Sequence, residues 1–140
     1  MTVREENELK KEYLNKYKKL GYKIKSLEDQ EASIQAEINA VRAIEYSDMP
    51  GASRTADLSD YMVKLEQIAE RISEAKRDRL VVRGEIESRV LDIQDGKESD
   101  ILRRRYILGE SWDDIAKEMH YTWRHTLRLH GKALHNFKID

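Results

Sequence analysis

Arg124 and Arg128 are the residues whose type and spacing point most directly to chemistry. Four apart, they share one face of a helix, where a guanidinium can clamp a phosphate or sit bidentate on a guanine edge. Lys132 follows one turn later, His125 flanks the pair, and Thr122 and Trp123 stand where such a helix would begin. Other constellations are weaker. His120, His125, His130 and His135 are spaced by five, so each would point about 140° from the last and they would not converge on one metal. Asp113 and Asp114 are neighbours that diverge on a helix, and acids in a first turn favour its dipole. The chain has no cysteine, which removes disulfide scaffolds, thiolate zinc sites and cysteine nucleophiles. Pro50-Gly51 lacks the further glycines and the Lys-Ser or Lys-Thr of a phosphate cradle. With no nucleophile–base pair either, the expectation is a non-enzyme with no metal and no cofactor.

The elements that must hold these cations lie between Ser111 and Leu134, which reads as two short helices joined by a three-residue turn. Ser111 is a good N-cap for the first, with Asp114 three residues on in a capping-box pattern. Ile115, Ala116 and Met119 share its inner face. Thr122 caps the second helix, on which Thr126, Leu129, His130, Ala133 and Phe137 fall within about 40° of one direction. Arg124, Arg128 and His135 stand opposite, flanked by His125 and Lys132. A short helix that is apolar on one side and cationic on the other suits a duplex major groove. It equally suits a plain solvated face, so periodicity alone leaves both readings open. Trp123 would meet a sugar or a thymine methyl, or staple the turn through Tyr121. Upstream, residues 100–108 read as a short helix capped by Ser99, the first of a three-helix unit. Its run Arg103-Arg104-Arg105 would either touch phosphates or neutralise Asp113 or Asp114.

From Ile101 to Leu134 the chain resembles the C-terminal helix-turn-helix of sigma factors, which reads the upstream promoter element. Arg105-Tyr106-Ile107, Ser111-Trp112, Ile115-Ala116, Tyr121-Thr122, Arg128-Leu129-His130 and Ala133-Leu134 carry the likeness. With its long N-terminal part and Met49-Pro50-Gly51, the whole chain resembles small phage-encoded transcriptional regulators of the RinA/ArpU type. The resemblance implies a phage-encoded regulator in the cytoplasm of a bacterial host, acting on double-stranded DNA at a promoter and in contact with RNA polymerase. Two positions depart from the pattern. His120 stands in the turn where Gly is usual, and Thr126 takes an inward place usually held by Val or Ile.

The preceding chain reads as a support. Tyr13, Tyr17, Leu20, Ile24, Leu27, Glu31, Ile34, Ile38, Val41 and Glu45 alternate four and three apart, a heptad seam on one helix of about 40 residues. Ser47 to Asp57, around Pro50-Gly51, reads as a connection. A second seam runs Leu58, Tyr61, Leu65, Ile68, Ile72, Ala75, Arg79, Val82, Ile86, Arg89 and Ile93, on a helix capped by Asp57 or Ser59 and ending near Gln94. Folded back antiparallel, the seams pair Val41 with Leu65, Ile34 with Ile72 and Tyr13 with Ile93, and bring Glu31 near Arg79. Leu80, Val81, Val90 and Leu91 lie off this seam and need another cover, either the C-terminal part or a second chain.

The expected fold is therefore all-α: a long antiparallel helical hairpin over residues 1–96, which would form a homodimer, then a helix-turn-helix domain over 97–140. Charge divides accordingly, with 17 Lys/Arg against 20 Asp/Glu up to residue 96 and 9 against 7 after it. That shift permits nucleic-acid binding without requiring it. No apolar run reaches membrane-spanning length, so a soluble, intracellular chain is expected. The function that fits best is sequence-specific DNA binding in transcriptional regulation. The alternatives are a phage packaging protein that recognises viral DNA and a helical assembly protein that binds no DNA.

Overall fold

The computed structural model describes residues 1–45 and 52–139. All regular structure among them is helical, as the sequence implies: α1 (Val3–Leu14), α2 (Lys16–Glu45), α3 (Ala52–Leu91), α4 (Gly96–Leu102), α5 (Trp112–Met119) and α6 (Trp123–Asn136). A single π-helical turn, Arg103–Ile107, extends α4. No described helix is long and apolar enough to cross a membrane.

The two long helices form for the reasons their seams suggest, with one interruption and two displaced ends. The first is interrupted at Asn15, which separates α1 from α2 while its own N–H still reaches Lys11 O at 2.8 Å. Thr2 starts α1, its hydroxyl accepting from Glu5 N at 3.2 Å. Helix α3 starts at Ala52, so Asp57 and Ser59 lie inside it rather than capping it. The turn signal at Pro50-Gly51 falls outside the described residues. At the other end α3 stops at Leu91, and Asp95 then caps α4 by accepting from Lys97 N and Glu98 N at 2.9 and 3.1 Å. The start expected at Ser99 is thus displaced, because the Asp95 carboxylate satisfies two orphan N–H groups. Ser99 instead donates its hydroxyl to Val90 O at 3.2 Å.

Packing divides the chain into two units, and not at Gly96. One unit is Gly21–Asp78 and the other joins Met1–Leu20 to Arg79–Asp140. In the first, Ile24, Leu27 and Ile38 of α2 and Ile72 and Ala75 of α3 are buried. All five are seam positions, and Arg42 donates to Met62 Sδ at 3.7 Å, as antiparallel helices require.

In the second unit the core draws on every helix. Leu14, Tyr17, Ile86, Val90, Ile93, Ile101, Leu102, Tyr106, Ile107, Ile115, Ala133, Leu134 and Phe137 form one cluster. Short helices of 7, 8 and 14 residues bury too little to stand alone, so the expected three-helix unit recruits α1 and the end of α3. Leu14, Ile86, Ile101 and Ile115 are completely buried, each contributing roughly 1.5–3 kcal/mol of transfer free energy. Val90 is covered by this core, whereas Leu80, Val81 and Leu91 stay 71%, 61% and 79% exposed. The Arg79 guanidinium lies 3.9 Å from the Tyr17 ring centroid, and its Nε donates to Tyr17 O at 3.3 Å. It thus takes a different partner from the Glu31 carboxylate suggested by the heptads.

Candidate nucleic-acid interface

Helices α5 and α6 form the helix-turn-helix. Ser111 Oγ accepts from Asp114 N at 3.2 Å to start α5, and Thr122 Oγ1 accepts from His125 N at 3.1 Å to start α6. Between them His120 takes the left-handed conformation, with φ 58° and ψ 41°. That conformation lets Tyr121 N reach Ala116 O at 2.9 Å, closing α5 in the Schellman manner. A residue with a Cβ is strained there by roughly 1–2 kcal/mol.

The inner face of α6 fixes its rotation about its own axis. Thr126, His130, Ala133, Leu134 and Phe137 are buried and Leu129 is half-buried. Thr126 satisfies its hydroxyl internally, donating to Thr122 O at 2.8 Å. His130 is buried with Nε2 at 2.7 Å from the Tyr106 hydroxyl and its ring edge-on to Trp112, 4.6 Å between centroids. Burial, with a smaller contribution from Lys11 and Arg105, pushes His130 down to about 4. Burial likewise pushes Tyr106 up to about 12. Both groups are therefore neutral near pH 7. The far end of α6 is tied to α1: Lys10 Nζ donates to Leu134 O and His135 O at 2.9 and 3.1 Å. A cation on the last carbonyls complements the helix dipole.

With the inner face buried, the six residues singled out by the sequence are all exposed: Thr122, Trp123, Arg124, His125, Arg128 and Lys132. Arg124, Arg128 and Lys132 have no carboxylate in ion-pair range among the described residues. Trp123 neither staples the turn nor stands free. Its indole N–H donates to Asp113 Oδ1 on α5 while the residue remains 49% exposed. Tyr121 packs instead against His125, edge-on at 4.3 Å.

The arginine run behaves differently. Arg104 Nε is 2.7 Å from Asp100 Oδ2, and its Nη1 is 3.2 Å from Glu110 Oε1. Arg105 donates to Glu110 O at 3.0 Å and lies over the Trp112 ring at 4.5 Å. Arg103 is within 3.9 Å of Asp100. The acids that neutralise the run are thus Asp100 and Glu110 rather than Asp113 or Asp114. Gly109, at φ 71°, makes the turn that returns Glu110 to it.

Two residues stand beside this face without having been singled out. Lys97 of α4 brings its ammonium to 5.7 Å from the Tyr121 ring, beside the turn. The neighbouring Tyr121 side chain raises its pKa further above neutrality, so it is charged. Only folding places it there, since it lies 24 residues upstream of Tyr121. Leu127 is 42% exposed on α6. Its place one turn after Trp123 was legible from helical spacing.

No group of three or more His, Cys, Asp or Glu that could hold a metal occurs among the described residues. No family model, curated protein or solved structure matches this chain.

Proposed function

We propose that this protein binds double-stranded DNA sequence-specifically and regulates transcription, with α6 lying in the major groove. The observation that carries the reading is the pair Arg124 and Arg128, one turn apart on an exposed helix face and without an acidic partner among the described residues. Elsewhere in the same unit, Arg83, Arg103 and Arg104 each have a carboxylate within 4 Å. A rigid helix presenting unpaired guanidiniums suits bidentate recognition of a guanine edge, with Lys132, His125 and Lys97 on flanking phosphates. Thr122 would add a hydroxyl at the helix N-terminus, where anions are favoured.

The sigma-factor-like residues support placing this activity at a promoter, as in phage regulators of the RinA/ArpU type, in the host cytoplasm and in contact with RNA polymerase. A homodimer built through the long helices would set the spacing of two half-sites. Leu80, Val81 and Leu91, exposed on α3, are apolar surface that a second copy would cover. Selection of bound fragments from random and phage genomic DNA at several salt concentrations tests the proposal. A recurrent promoter-proximal motif supports it, and a motif at a packaging start site favours the packaging reading. Absence of any retained sequence, with the oligomer intact, favours the assembly reading.

A further inference from the structure

On the outer face of α6 two lines of side chains run side by side. One is cationic, Arg124 then Arg128, and the other is apolar, Trp123 then Leu127, each with a spacing of four residues. The apolar line is unexpected on a helix turned to solvent: Trp123 is 49% and Leu127 42% exposed. The one polar atom of the indole is already used, because its N–H is bonded to Asp113. What Trp123 offers outward is therefore hydrocarbon, held in place from α5, and Leu127 extends it by one turn.

We infer that Trp123 and Leu127 form an apolar reader of thymine C5-methyl groups, with Asp113 as the positioning residue that orients the indole. The inference rests on the DNA-binding reading and deepens it. The flanking cations select a polyanion as the occupant of this face, and within a major groove the apolar group on a base edge is the thymine methyl. The guanidiniums and the hydrocarbon line together fit a site in which a guanine stands next to one or two thymines. Asp113 is an acid close to phosphates, which weakens binding overall. Its hold on the indole N–H gives it a role that the charge penalty alone would not.

The test uses the full chain and the duplex recovered by selection, with each thymine replaced singly by uracil, which removes the methyl and keeps the pairing. Burying one methyl is expected to be worth about 4-fold in affinity, so one or two adjacent uracils should each weaken binding by that factor. Leu127→Ala, at an exposed position, should keep its helicity and lose the discrimination at one of those positions. Asp113→Asn and Asp113→Ala should both tighten binding by removing a negative charge. Only Asp113→Ala should erase the uracil effect, because Asn still accepts from the indole. If every uracil is neutral while the wild-type chain binds its site, the inference is overturned and the DNA-binding reading stands. If no duplex is recovered at all, the DNA-binding reading itself fails. If Leu127→Ala leaves the uracil effect whole but breaks the oligomer, the apolar line is a protein contact and the inference is overturned.

Discussion

The two arginine clusters of this protein have the same chemistry and opposite fates. Arg103, Arg104 and Arg105 sit on a π-helical turn between two acids, and the Arg104 side chain is only 23% exposed. Arg124 and Arg128 sit on a regular helix that has no acid in its first turn. The run of three looks the more basic on paper, yet its charge is spent holding the loop from Leu108 to Glu110 against α4. The dispersed pair keeps its charge available. A cation's role is set by which carboxylates the backbone brings within about 4 Å, since a paired guanidinium has little field left for a ligand.

Breaking the second cluster should have the largest effect. Arg124→Ala with Arg128→Ala should weaken DNA binding by about 100-fold or more, at roughly 1–3 kcal/mol per bidentate pair. The slope of log affinity against log salt should flatten by about 0.9 for each phosphate no longer neutralised, with thermal stability unchanged in a melting scan.

The acid limb of stability comes next. The folded His130 pKa is depressed below its unfolded value near 6.5, so its contribution is complete above that pH and is lost as pH falls toward about 4. The loss should be about 3 kcal/mol, read by denaturant titration at stepped pH. His130→Phe should flatten that limb, which separates collapse of the scaffold from loss of the cationic face.

Arg104→Ala should cost about 1 kcal/mol of stability, given partly exposed ion pairs, and should leave DNA affinity within about twofold. A larger affinity loss would mean that the paired cluster also touches phosphate, and the contrast would collapse. The smallest effect is a gain. His120→Gly relieves a left-handed residue and should add up to about 1 kcal/mol after the entropic cost of glycine, seen as a higher Tm with unchanged DNA affinity.

Much of this was legible in the sequence because helices advertise their buried faces. Heptad spacing marked Ile24, Leu27, Ile38 and Ile72 as buried, and the spacing on α6 marked Thr126, His130, Ala133 and Phe137. The caps Ser111 and Thr122 were readable because hydroxyls before an amphipathic run have one common use. What escaped was non-local or competitive. Asp95 outcompeted Ser99 as a cap, Arg104 chose acids on either side of its own turn, and Trp123 chose Asp113 over the turn. Lys97 reaches Tyr121 only through tertiary packing. In the same way, nothing near residue 14 announces that Leu14 will be completely buried in a core with Phe137.

The Lys10 ammonium on the final carbonyls of α6 has a consequence for how this molecule is made and handled. The ribosome releases α1 long before α6 exists, so the bond that ties them forms only once α6 has emerged. High separation along the chain slows folding, and the C-terminal helices cannot be lifted out as a cassette by cutting at Gly96. Such a fragment would leave behind Leu14, Tyr17, Ile86 and Val90 and should behave as a loose, dye-binding globule.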